Sequence, residues 1–314
     1  MSVEYTLVTG GAGFIGSQLT SELASRDIKV LAIDCFLADS YSSDLKRARW
    51  QQLKELNIGN LTLIEFDLRT DNFDELKKYK ITTIFNEAAM PGLNNNWSLA
   101  EVYYENNITA LNRLLEFAKS LDLKSFIHAS TSSVYGKEAT GDEKQDLMPI
   151  SPYGVSKLAA EKLLLAYKEW FSIPVKILRY FSVYGPYQRP DMAYSRIIEA
   201  IKTGSEFVIY GDGEQKRSNT FIDDIVEATI LADMRAEPGD IINVCGDETI
   251  SLNRAISIIE ELMGKRLNKK FGEVRTGDQR DTSGINLLAK KRLGWNASVK
   301  FHEGIYAQVK ASLT

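Results

Sequence analysis

The chain predicts an α/β fold built on a doubly wound parallel sheet, and three observations predict it. From the first residues, short β-branched runs alternate with longer segments of helical periodicity, the pattern of successive βα units. A glycine-rich turn, TGGAGFIGS at residues 9–17, joins the first apolar run to the first helical one. After about Ser182 the rhythm changes to loops rich in Tyr, Gly and Pro, then to mixed short strands and helices, so a smaller C-terminal α+β region is expected to cover the sheet edge and bind substrate.

Each element has a local reason. Strands are expected near Tyr5–Thr9, Lys29–Ile33, Leu61–Glu65, Thr82–Asn86, Lys124–Ser130 and Val175–Tyr180, runs of branched residues bounded by Gly, Asp, Asn or Pro. DSYSSDLKRARWQQLKEL, residues 39–56, reads as a helix inserted after the second strand. Two long helices follow, roughly Leu99–Lys119 and Tyr153–Phe171, the second introduced by Ser151 as cap and Pro152 in the first turn. Leu163, Leu164 and Leu165 are too apolar for a helix that buries one stripe, so this helix either lies deep in the core or meets another protomer. The division expected is a dinucleotide-binding domain over residues 1–181 with return segments near 222–245, and a substrate domain over 182–314.

Composition narrows the function. A chain of 314 residues with 44% hydrophobic residues can bury a large core. The net charge of -4 is spread along the sequence, which leaves no basic footprint for a nucleic acid. No stretch reads as a leader or a membrane span, so a cytoplasmic protein without a membrane partner is expected. Cys35 and Cys245 stand far apart without ligand spacing and read as partly buried thiols; no metal site is expected.

The glycine turn has the context a dinucleotide needs. Gly10, Gly13 and Gly16 follow an apolar strand, and Phe14 and Ile15 open the helix whose N-terminus would face the pyrophosphate. Asp34 ends the second strand, where a carboxylate can accept both ribose hydroxyls and repel a 2′-phosphate, which favours NAD over NADP. The competing reading is a cap for the following loop. Asp67, with Leu68 beside it, suits the adenine amino group, and Ala88–Met90 leaves room at the sheet edge.

Tyr153 and Lys157 lie four apart in a helical segment and share one face. A phenol ordinarily titrates near 10, too high for a base at neutral pH, but a neighbouring cation favours the phenolate; Lys157 is expected to supply it. ASTSSVYG, upstream, puts Thr131, Ser132 and Ser133 at the carboxyl edge of the sheet, where one hydroxyl can hold the substrate oxygen. Strand alternation turns Ser130 and Ser132 away, which makes loop capping the plainer reading for them.

TGGAGFIGS, the Asp after the second strand, STSSVYG, YGVSK and RYFSVYGP, in this order, resemble the extended short-chain dehydrogenase/reductases across nearly the whole chain. Within that group PGLNNNW, RYFSVYGPYQRPDMAY, YGDGEQKRSNTFIDDIVEA and RTGDQRDT are most similar to UDP-glucose and UDP-glucuronate 4-epimerases. The resemblance implies a Rossmann-type fold with NAD and a UDP-sugar, and a homodimer formed through a four-helix bundle. Thr131 would assist proton transfer, Tyr153 act as acid/base, and Lys157 hold the nicotinamide ribose. Asn107 matches the family's helix Asn. Arg217 and Arg275 would meet the diphosphate and Arg189 the sugar or phosphate, with Asn94, Ser132, Ser133, Ser182 and Asp278 completing the substrate site. Any one of these arginines could instead form a surface ion pair.

The related 4,6-dehydratases carry Asp and Glu after the Thr, and the decarboxylases a Glu before VYG; Ser132 and Ser133 stand there instead. Redox inversion at C4 through a 4-keto sugar is therefore the expected reaction. A decarboxylase, dehydratase or 4-keto reductase of the same family is the alternative, and a non-catalytic NAD-dependent regulator a further one. Departures from the resembling sequences fall at Asn94, Ser182 and at NEAA from Asn86, which replaces His-x-Ala-Ala.

Overall fold

A computed structural model of the protein describes residues 3–38, 41–92, 97–274 and 279–313. The first half alternates strand and helix as the sequence predicts: β1 (Glu4–Thr9), α1 (Phe14–Ser25), β2 (Val30–Asp34), α2 (Ser43–Glu55), β3 (Leu61–Glu65), β4 (Lys80–Asn86), α3 (Ala100–Tyr104), α4 (Ala110–Ala118), β5 (Ser125–Thr131), α5 (Pro152–Phe171) and β6 (Val175–Tyr180). The remainder comprises β7 (Ser182–Tyr184), α6 (Ala193–Thr203), β8 (Phe207–Tyr210), β9 (Lys216–Phe221), α7 (Ile222–Arg235), β10 (Ile241–Val244), β11 (Thr249–Ser251), α8 (Leu252–Met263), β12 (Lys269–Gly272), β13 (Asp281–Thr282) and α9 (Phe301–Leu313).

Seven of these strands form one parallel sheet in the order β10-β6-β5-β4-β1-β2-β3. The order reverses between β1 and β4, and the carboxyl ends on either side of that switch point open the crevice where such sheets bind ligands. Alternation explains the two cores. Leu7, Leu31, Ile84, Phe126 and Ile177 face α4 and α5, where Leu111, Leu114, Leu115, Ala160 and Leu164 cover them. Their neighbours Val8, Ala32, Phe85, Ile127 and Leu178 face α1 and α7, against Leu19, Leu23, Ile225 and Val226. Covered on both sides, the central strands need apolar residues at nearly every position, which is why they read as continuous runs. Each such side chain contributes about 1.5–3 kcal/mol on burial.

Local chemistry sets the ends of the helices. Ser151 caps α5, its hydroxyl accepting from the Gly154 N–H at 3.1 Å. The helix expected over Leu99–Lys119 is not regular: a wide π turn, Glu105–Thr109, separates α3 from α4. Periodicity cannot show this, because the apolar stripe resumes on both sides of the extra residue. Leu163 and Leu165 are half-buried around a buried Leu164, and Trp170 and Phe171 at the end of α5 are 82% and 50% exposed.

The C-terminal elements add a small sheet, β11-β9-β13 with β7 on β9, and a two-stranded pair, β8 with β12. Tyr184, Tyr194, Phe221 and Phe301 interlock around its base, the Tyr184 and Phe301 rings 5.1 Å apart. Among the described residues no helix is long and apolar enough to cross a membrane.

Candidate active site

A cavity of about 400 Å³ runs along the carboxyl edge of the sheet from the glycine turn to Arg189 and Arg217. Its floor is a cradle built without side chains. Gly10 holds φ at +69°, and a Cβ there would lie 2.8 Å from the Ala88 nitrogen. A Cβ on Gly16 would lie 2.1 Å from the Gly10 carbonyl oxygen. Gly13 begins α1 with no side-chain cap, which leaves main-chain N–H groups facing the cavity with Phe14 and Ile15 beside them. These residues fit a dinucleotide pyrophosphate, an anion that must approach bare backbone. Asp34 is buried at the end of β2, one carboxylate oxygen accepting from Ala12 N at 3.0 Å and the other from Phe36 N at 2.7 Å. The sequence offered loop cap and ribose ligand as rivals; here the carboxylate caps the loop and still borders the cavity, so the two are compatible.

Thr131, Tyr153 and Lys157 line the same cavity, from the end of β5 and the first turns of α5. Asn107, inside the π turn, fixes the opposite wall: its Oδ1 accepts from Met90 N at 2.7 Å, and its Nδ2 donates to Met90 O and to Ser156 Oγ. Gly92 lies flat on Tyr153, where a Cβ would come within 2.3 Å of the tyrosine Cβ. Behind α5, the Arg179 guanidinium donates to both oxygens of Glu161, which also accepts from Ser130 Oγ at 2.5 Å. The Ser130 hydroxyl therefore turns away, to Glu161, as alternation predicts, although the residue still borders the cavity. Ser132 does not, because β5 ends at Thr131 and a short 3₁₀ turn, Ser132–Tyr135, breaks the alternation and brings Ser132 and Ser133 to the cavity.

The electrostatics differ from the expectation in one respect. Enclosure raises the Tyr153 phenol above its ordinary value; the Thr131 hydrogen bond and then the Arg189 charge oppose this. Arg189, placed at the sugar or phosphate by the sequence, is thus also a cation acting on that hydroxyl. Lys157 Nζ instead donates to Ala129 O at 2.6 Å and lies 3.1 Å from His128 Nε2. Burial lowers the ammonium to about 8, with Glu87 and then Glu161 pulling it back up. His128 is held well below its usual value by burial and by Lys157, so it is neutral at pH 7. Glu87 is pushed up to about 7 by burial, against the Tyr180 hydroxyl and the Lys157 charge.

The other anticipated residues divide. Ala88, Ser182, Arg189 and Arg217 line the main cavity, and Asp67 and Leu68 an adjoining one shared with Gly10, Asp34 and Ala88. Arg189 is paired with Asp191 through two hydrogen bonds of 3.0 and 2.6 Å, yet still borders the site. Asp67 is engaged by Arg69, which lowers it, so any adenine contact there competes with an ion pair. Arg217 donates to the carbonyls of Lys216 and Gln279. Asn94, Arg275 and Asp278 lie outside the described residues. The sequence reading missed Glu87, Tyr41, Lys46 and Gln279, all of which line the cavity. Tyr41 and Lys46 flank and occupy the inserted helix, and Glu87 was noted only as part of NEAA. An acid placed directly after a buried strand, at the ligand edge of the sheet, was the available signal.

Comparison with known proteins gives one consistent answer. Residues 6–245 match the model of the NAD dependent epimerase/dehydratase family. A UDP-glucuronate 4-epimerase of Thermodesulfobacterium geofontis is 36% identical over 98% of this chain and 96% of its own length. The crystal structure of UDP-glucuronic acid 4-epimerase from Bacillus cereus, in complex with UDP-glucuronic acid and NAD, superimposes with a TM-score of 0.93 at 36% identity, covering 99% of this chain and all of that one. UDP-glucose 4-epimerase of Thermotoga maritima follows at a TM-score of 0.88 and 27% identity, covering 98% of each chain. The expected Rossmann-type sheet, the glycine cradle and these likenesses agree: the chain belongs to the NAD-dependent epimerase/dehydratase family.

Proposed function

We propose that the protein interconverts the 4-epimers of a UDP-sugar of the glucuronate or glucose type, with NAD held along the glycine cradle. The observation that carries this is the single cavity in which the cradle, the Thr131–Tyr153–Lys157 group and the two arginines meet. Bound there, the nicotinamide would supply a reversible two-electron acceptor that needs no external reductant. Tyr153 takes the proton of the sugar 4-hydroxyl and later returns it, with Thr131 holding the same oxygen. Lys157 and Arg189 are the cations bordering the cavity about Tyr153, and both favour its phenolate. Arg217, together with Arg275, holds the diphosphate, while Arg189, Asn94, Ser182 and Asp278 frame the sugar. Gly10, Gly13, Phe14, Ile15, Gly16, Asp34, Asp67, Leu68, Ala88 and Asn107 form the cofactor side.

Ser132 and Ser133 line the cavity at the two positions after Thr131 where the related dehydratases and decarboxylases carry their acids, which favours inversion over dehydration or decarboxylation. Residues 182–314 supply most of the nucleotide-sugar half, apart from the return of α7 and β10 to the main sheet. A homodimer built on α4 and α5 is consistent with the exposed Trp170 and Phe171.

The test uses UDP-glucose, UDP-glucuronate and their N-acetyl forms, with products resolved chromatographically. Wild-type protein should epimerise at least one of them without net NADH formation. Tyr153→Phe should bind NAD normally by calorimetry and turn over roughly 100- to 10,000-fold more slowly. Turnover retained in that variant would refute the assignment.

A further inference from the structure

Glu87 is a carboxylic acid at the ligand edge of a parallel sheet, and nothing in the reaction above uses it. It follows β4 directly and lines the cavity with Tyr153, Lys157 and Tyr180. Its backbone presses on the cradle, since a Cβ on Gly10 would meet the Glu87 carbonyl carbon at 3.0 Å. The side chain is held by Tyr180 Oη, which donates to Glu87 Oε1 at 3.0 Å and lies 2.7 Å from Thr229 Oγ1. Thr229 in turn donates to the Ile225 carbonyl at 2.7 Å.

Proton counting gives this run two states. The Thr229 proton is committed to a backbone carbonyl, so Tyr180 has one proton for two acceptors. With Glu87 ionised, Tyr180 donates to the carboxylate. With Glu87 protonated, the acid donates to Tyr180, which turns its own proton to Thr229. Every group stays satisfied when one hydroxyl rotates, so the carboxyl can ionise or not without stranding a buried partner.

Its ionised form acts on Lys157. The Lys157 ammonium donates to Ala129 O and lies 3.1 Å from His128 Nε2, and neither neighbour carries compensating negative charge. Two carboxylates pull Lys157 toward its charged form, Glu87 first and Glu161 second. Glu161 is neutralised by its own bidentate partner, Arg179. Of the two, Glu87 is the one held by a neutral hydroxyl, that of Tyr180, rather than by a guanidinium. Besides Lys157, Tyr180 on β6 and Tyr153 on α5 also feel the Glu87 charge, Tyr153 together with that of Arg189, and the neutral His128 on β5 lies against Lys157.

We propose that Glu87 is a positioning residue of this site: its carboxylate, oriented by Tyr180 and sharing the cavity with Lys157, helps hold Lys157 as an ammonium while Tyr153 exchanges its proton. The proposal rests on the reading of Lys157 as a cation of the Tyr153 site. It assigns a function to the acid that stands in NEAA.

The decisive measurement is made on protein free of dinucleotide. Lysines are labelled with ¹³C at Cε, and the Lys157 signal is assigned by its loss in Lys157→Arg. In wild-type protein that signal should titrate near pH 8, with a smaller inflection near 7 as Glu87 ionises. Glu87→Gln should remove the smaller inflection and lower the Lys157 midpoint by about one unit. In NAD-loaded Glu87→Gln, the alkaline limb of the turnover profile should move to lower pH by the same interval, whereas a merely structural role would depress turnover equally at every pH. A Lys157 midpoint unmoved by the substitution overturns the proposal, and so does a single inflection in wild-type protein, a result that requires no variant to fold. Loss of the Tyr153 assignment would show in Tyr153→Phe turnover and leave the Lys157 titration untouched, so the two failures are distinguishable.

Discussion

Replacing Glu161 by Ala tests how the back of the site is held. Glu161 and Arg179 are each 1% exposed, and the guanidinium reaches the carboxylate at 3.0 and 2.7 Å while Ser130 Oγ donates to it at 2.5 Å. Truncation leaves the guanidinium in the core with Tyr135 Oη at 2.9 Å and the Glu143 carbonyl at 3.5 Å as acceptors, and takes the acceptor from Ser130. Removing one partner of a buried ion pair costs about 3–5 kcal/mol, and an orphaned hydroxyl about 1–3 kcal/mol. The two overlap, since one carboxylate serves both, so the expected loss is about 4–5 kcal/mol out of a total of roughly 5–15 kcal/mol. Urea unfolding followed by circular dichroism should register it, and a melt should fall by about 8–10 °C at roughly 2 °C per kcal/mol. Glu161→Leu combined with Arg179→Met removes both charges and should recover most of the deficit. A single-mutant loss under about 1 kcal/mol, or a double mutant worse than the single, would show that charge compensation is not what holds this wall.

Lys157→Met should stabilise the dinucleotide-free protein in a pH-dependent way. Burial lowers the folded-state ammonium from 10.5 to about 8, so the penalty for charging it is absent above 10.5, grows as pH falls, and is fully present below 8. At roughly 1.4 kcal/mol per unit the gain over wild type is at most about 3 kcal/mol at pH 7 and vanishes by about pH 10.5; a gain independent of pH in parallel urea titrations would contradict it. Light scattering should give twice the 35.3 kDa chain mass, and Trp170→Glu should lower it, whereas a monomer at all concentrations would remove the proposed α4–α5 bundle.

What the sequence made legible follows from where each signal resides. β1 to β6 fall within a residue or two of expectation, because strands buried on both faces are continuous apolar runs with polar boundaries. β9, KRSNTF, carries no such run; it is defined by pairing with β7, β11 and β13. The glycine cradle and the Tyr153–Lys157 spacing were legible because both are local patterns. The partners that set the charges were not, because His128 and Lys157 lie 29 residues apart and Tyr180 and Glu87 lie 93 apart. Arg189 shows the same limit: its type suggested an anion, and only the fold shows that Asp191 already holds it beside Tyr153.

The second-strand acid carries one further implication. Asp34 hands one oxygen to the glycine turn at Ala12 and the other to the chain leaving β2 at Phe36. On the proposed cofactor role of Asp34, discrimination between two dinucleotides and the shape of the loop that receives either share a single side chain. A redesign that swaps this acid for a small neutral residue, to admit a phosphorylated ribose, would strand two main-chain donors at about 1–3 kcal/mol each. Cofactor preference here cannot be changed by that substitution alone; a replacement brace for residues 12 and 36 has to come with it.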